Sequence, residues 1–132
     1  MIRNETIAPV KIAPELLHAI QNQTLQEKQV IVHCKVKNAS MEDLLIRIWP
    51  TTFLVDRVSG HRSKLVHHEH ITLYPYWTLL PGGVGYTFTL IFSGLPDSCT
   101  SFDLLEDIPQ EGGFFVPAIT RNNTDIYNVD LI

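Results

Sequence analysis

His67-His68-Glu69-His70 is the densest run of metal-capable side chains in the sequence. On an extended strand, alternate residues share a face about 6–7 Å apart. His68 and His70 would then point one way, and His67 and Glu69 the other. Two imidazoles so placed can share a zinc or copper ion when a third ligand arrives. His33 and His61 are the candidates for that third ligand. The plainer reading is a solvated strand end, because metal sites usually show a tighter multi-ligand pattern. Tyr74, Tyr76 and Trp77 form a second group, around Pro75. Aromatic faces on a loop or sheet stack on sugar rings or anchor a partner protein. Ordinary packing would place two of these three rings inside.

The remaining groups are weaker. Cys34 and Cys99 are the two cysteines. Cys34 falls on the apolar side of an alternating stretch, where cysteine acts as a small hydrophobe. Nucleophilic use would need a partner that stabilises the thiolate, and the adjacent His33 points to the opposite face. A Cys34–Cys99 bridge needs Cα atoms within about 7 Å. Asp103, Glu106, Asp107 and Glu111 form an acidic run. It lacks the Asp-x-Asn/Asp order of a calcium loop and reads as a solvated loop. Gly82-Gly83 and Gly112-Gly113 stand outside any phosphate-binding context, and no Gly-x-Ser-x-Gly elbow occurs. No catalytic residue, metal cofactor or organic cofactor is therefore expected.

Strands must position these groups. The chain carries 13 Ile, 11 Thr and 10 Val against 5 Ala, a balance that favours strands over helices. Over 29–37, Val30, Val32, Cys34 and Val36 fall on one face, while Gln29, His33, Lys35 and Lys37 fall on the other. That is the period of a half-buried strand. Leu44–Trp49 comes next, until Pro50 disrupts it. Thr52–Asp56 and Lys64–His68 flank a turn containing Gly60, which predicts a hairpin. Ile71–Trp77 reads as extended. Leu80-Pro81-Gly82-Gly83 reads as a turn. The strongest strand comes after it, with Tyr86, Phe88, Leu90 and Phe92 on one face. Phe102–Leu105, Phe114–Ile119 and Ile126–Leu131 complete about eight strands. Pro14–Gln21 is the one helical candidate, a turn or two led by Pro14. Residues 1–24 read as an N-terminal strand or arm attached to one domain spanning 1–132.

Composition excludes several classes. The sequence has 132 residues, 45% of them hydrophobic and 18% charged, which is too apolar for disorder. Its apolar runs are too short for a transmembrane segment. A net charge of −4 argues against general nucleic-acid binding. The first residues show no apolar export segment, so the chain reads as cytoplasmic, or as exported if such a segment has been removed.

One stretch resembles a known group. Leu80-Pro81-Gly82-Gly83, Tyr86–Phe92, Leu95-Pro96 and Phe102-Asp103-Leu104-Leu105-Glu106 run in an order similar to that of uncharacterised immunoglobulin-like β-sandwich domains of bacterial proteins. The resemblance covers roughly residues 28–120. It implies an antiparallel sandwich of seven to eight strands, and implies no activity. The resulting expectation is a non-enzymatic binding or structural module. It would recognise protein or carbohydrate through Tyr74, Tyr76 and Trp77. The alternatives are a metal-binding protein using His68 and His70, or a homodimer through an edge strand, since sandwich edges pair readily. A monomer fits the first reading.

Overall fold

The structure, a computed structural model, describes residues 28–131. The expected N-terminal arm and the helical turn over Pro14–Gln21 lie outside the described residues. Within them the chain is all-β, without a helix. Nine strands form: β1 (Gln29–Lys37), β2 (Leu44–Ile46), β3 (Thr52–Asp56), β4 (Arg62–Glu69), β5 (Thr78–Leu80), β6 (Gly85–Ser93), β7 (Ser101–Glu106), β8 (Phe115–Thr120) and β9 (Ile126–Asp130). No described helix is long and apolar enough to cross a membrane.

Seven strands make one sheet in the order β8-β7-β3-β4-β6-β1-β9, and β2 and β5 pair separately as a two-stranded ribbon. The large sheet curls until it nearly closes into a barrel. Its closure is visible in the core, where Tyr127 on β9 meets Phe102 on β7 edge to face, 5.0 Å between ring centres. This differs from the expected wholly antiparallel sandwich. β9 runs parallel to β1, with Val32 opposite Tyr127 and Cys34 opposite Val129. That makes the sheet mixed. A last strand that returns along β1 buries Tyr127, Val129 and Leu131 in the core, which accounts for its apolar side chains.

Alternation decides which side chains fill the interior. β1 directs Val30, Val32, Cys34 and Val36 inward, and β6 opposes them with Phe92, Leu90 and Phe88 in antiparallel register. β3 adds Leu54, and β7 adds Phe102 and Leu104. β4 departs from strict alternation at a register shift between Leu65 and His67. The extra residue of a bulge leaves the ladder unpaired locally and redirects the side chains beyond it.

Two expected strands change shape. Ile71–Trp77 does not extend through its length. The chain turns at Tyr74-Pro75, a cis peptide, with the Tyr76 amide donating to the Leu73 carbonyl at 2.9 Å. The strand there is the shorter β5, beginning after Trp77. Leu44–Trp49 is likewise cut to three paired residues, with a single parallel bridge from Ile48 to Leu73 beyond them.

Candidate functional site

The β2–β5 ribbon is held to the body by a buried asparagine. Asn38, at the end of β1, is 2% exposed. Its side-chain amide donates to the carbonyls of Glu42 (2.8 Å), Leu80 (3.2 Å) and Pro81 (3.3 Å), and its side-chain oxygen accepts the Ser40 amide. One side chain thus ties the loop entering β2 to the turn leaving β5. The approach is close enough to require glycine. A Cβ on Gly82 would lie 2.5 Å from the Met41 carbonyl oxygen, and Gly83 takes a φ of +74°. The ribbon buries Leu80 and the nearby Ile48 against the core. Its paired residues Leu45 and Leu79 face outward instead, 55% and 54% exposed.

The outward face continues into a ladder of rings around one cation. The Arg47 guanidinium lies 3.7 Å from the Trp77 ring centre and 4.5 Å from that of Tyr74. Tyr74 stacks on Trp49 at 4.0 Å, with 28° between the ring planes. Stacking on guanidinium draws on the electron-rich ring face. Arg47 also donates one hydrogen bond, to the Pro75 carbonyl at 3.2 Å. The ladder therefore joins the residues just after β2 to the turn before β5, fixing each against the other. Tyr74, Tyr76 and Trp77 are 44%, 71% and 50% exposed. None of the three enters the interior, where ordinary packing would have put two.

Beside the ladder is an open cleft of about 160 Å³. Leu45, Arg47, Trp49 and Trp77 form one side, and residues of the β7–β8 loop, including Ile108 and Glu111, form the other. Glu106 lines it too, a residue only 6% exposed whose carboxylate is hydrogen-bonded within the fold. Its oxygens accept the Trp49 amide at 2.9 Å and the Phe114 amide at 3.1 Å. Burial pushes the Glu106 carboxyl above its ordinary value, although the two amides and the Arg47 charge pull the other way. Glu106 thereby fastens the segment carrying Trp49 to the start of β8. It does so from the end of a strand and not from the solvated loop that the acidic run suggests.

The other sequence candidates are not assembled here. His68 is half-buried, opposite Leu90, and its ring Nδ1 is 2.8 Å from the Ile71 carbonyl oxygen. His70 lies just past the strand at a φ of +62°, so the alternation that would align the two rings ends before it. His33 lies elsewhere, bonded to Thr89 at 2.8 Å. Among the described residues, no three His, Cys, Asp or Glu side chains gather around a common metal position. Cys34 and Cys99 are buried free thiols. Burial raises Cys34 to about 12, and burial also raises Cys99. Asp103 pairs with Arg57 at 2.7 Å and Asp107 with Arg62 at 3.2 Å.

Arg47, Trp49, Leu45 and Leu79 are the residues of this candidate site that the sequence reading passes over. A signal for three of them exists. Strand spacing over 44–49 puts Leu45, Arg47 and Trp49 on one face, an apolar and aromatic face interrupted by a cation. The chain matches no family model, no curated protein and no solved structure.

Proposed function

We propose that this chain is a binding module that takes a protein partner on the face built by the β2–β5 ribbon and the Arg47 ladder. The observation that carries the reading is the run of outward side chains Leu45, Leu79, Tyr76 and Trp77, each at least half exposed and all on or beside one ribbon. Contiguous apolar surface of this kind marks interaction sites. Trp, Tyr and Arg are also the residue types that dominate binding energy at protein interfaces. A protein ligand suits the face better than a sugar. Tyr74 has one face against Trp49 and Arg47 over its ring, so it offers little open platform, and the ribbon adds leucines where a sugar would need polar partners. The immunoglobulin-like resemblance belongs to this reading as a proposal about kinship, supported by the all-β layout and the aromatic β6.

A displayed random peptide library and a glycan array, both applied to the wild-type chain, test the reading. Peptides are expected to be retained, and to be lost with Leu79→Asp while Lys35→Asp, on the large sheet, keeps them. Retention of glycans without peptides would overturn it, as would peptides indifferent to Leu79→Asp.

A further inference from the structure

Arg47 is the one cation of the ladder, and among the described residues it joins no ion pair, whereas Lys28, Arg57, Arg62 and Arg121 each hold an aspartate. Its single hydrogen bond goes to the Pro75 carbonyl. A guanidinium carries five N–H donors in a rigid fork. The Trp77 and Tyr74 rings lie against the guanidinium, their centres 3.7 and 4.5 Å from it, and the Pro75 carbonyl takes one donor, which leaves the other donors of the fork without an acceptor among the described residues. The neighbouring carboxylate, Glu106, accepts the Trp49 and Phe114 amides and feels the Arg47 charge, but it takes no hydrogen bond from the guanidinium. The result is a half-buried cation, pre-oriented and in no ion pair among the described residues, its charge felt only at longer range by Glu106.

The ribbon beside it is open as well. β2 pairs with β5 on one edge, and no described strand pairs with its other edge. The unpaired N–H and C=O groups of such an edge accept an extended segment by main-chain hydrogen bonding. Resting on the reading of this face as a protein-binding surface, we infer that its ligand is an extended segment of a partner protein carrying an acidic side chain, whose carboxylate pairs with Arg47 while apolar neighbours lie on Leu45 and Leu79. Charge complementarity selects the acid. A carboxylate matches the guanidinium fork with two parallel hydrogen bonds, which a neutral side chain does not. Held by its rings, Arg47 gives up little side-chain freedom on binding, so the pair is formed at low entropic cost.

A double-mutant cycle tests the inference. Peptides retained by the wild-type chain are resynthesised with each acid replaced by its amide, and both forms are titrated against wild type and Arg47→Gln. The retained peptides are expected to share one acidic position. Changing that acid to the amide should weaken binding about tenfold or more on wild type, and have little effect on Arg47→Gln. Arg47→Lys should recover only part of the loss, since it keeps charge without the fork. If Arg47→Gln melts early, the acid-to-amide comparison on wild type and Arg47→Lys decides. Retained peptides without a shared acid, or equal losses on both proteins, would overturn the inference and leave the protein-binding reading standing. Retention of no peptide at all would overturn both. A chain that self-associates through this face, seen as a mass rising with concentration and reversed by Leu79→Asp, would replace the partner with a second copy.

Discussion

Several side chains with reactive potential are occupied by structure. Cys34 sits opposite Phe88 in the interior, and a thiol raised to about 12 stays protonated at neutral pH. Neither Cys34 nor Cys99 should be alkylated by iodoacetamide in the folded chain at pH 8, and both should react once urea unfolds it, a difference that mass spectrometry reads directly. Asp125 shows the same use of a charged group for architecture. It accepts from Arg121 at 3.1 and 3.0 Å and from the Tyr127 hydroxyl at 2.8 Å. Asp125→Asn removes a charged acceptor from a mostly buried network and should cost about 1–3 kcal/mol in a urea melt. Arg47 is the exception among these groups, since its stacking leaves donors without an acceptor among the described residues. The chemistry of His67–His70 was legible as composition but not as geometry. Which way each ring points depends on the bulge before His67 and the left-handed turn at His70, neither of which alternation reports.

Among the elements, the ribbon is the one on which the proposed function rests, and it is small. Two three-residue strands cannot be stable alone, so the Asn38 hub and the tight Gly82 turn must hold it. Gly82→Ala pushes a methyl group into the Met41 carbonyl and should destabilise by about 1–3 kcal/mol. Hydrogen exchange should accelerate over Leu44–Ile46 and Thr78–Leu80 while the amides of β1 and β6 stay protected. Uniform acceleration across the chain would mean that the ribbon does not move separately. The long strands were legible because burial alternates along them. β1 occupies the residues that its pattern marks out, and β6 extends the marked run by only a residue at each end. β5 was hidden because three residues between an aromatic turn and a Pro-Gly turn are too few to show a period. The parallel pairing of β9 with β1 was illegible for another reason. A side-chain pattern shows which face is buried but not the direction of the neighbouring strand.

For the described residues as a whole, the curled sheet supplies one core, with the ribbon of the proposed binding face attached outside it. Phe88 and Phe92 are 1% and 0% exposed, and Phe88→Ala should cost about 3–5 kcal/mol. Stability should also depend on acid in a defined sense. The Ser59 hydroxyl and the Val58 amide lower Asp56. Burial raises Asp103 and Asp125, but the Ala118 amide and Arg57 in one case, and Arg121 and Tyr127 in the other, outweigh it and leave both lowered. Unfolding in acid then takes up protons at these groups, so their contribution is present above about pH 4 and is lost as the pH falls below it. Glu106, raised by burial, acts in the opposite sense: its contribution declines as the pH rises out of the carboxylate range. A Tm series from acid to neutral pH should fall at the acid end, and Asp125→Asn should flatten that fall.

The location of the proposed binding face can be tested without any label. The chain has 2 tryptophans, Trp49 and Trp77, and both belong to the Arg47 ladder. Titrating the wild-type chain with a retained peptide that lacks tryptophan should therefore change the intrinsic fluorescence, and the change should saturate at the stoichiometry and affinity found by calorimetry. Binding seen by calorimetry with an unaltered tryptophan spectrum would contradict the assignment of this face as the site.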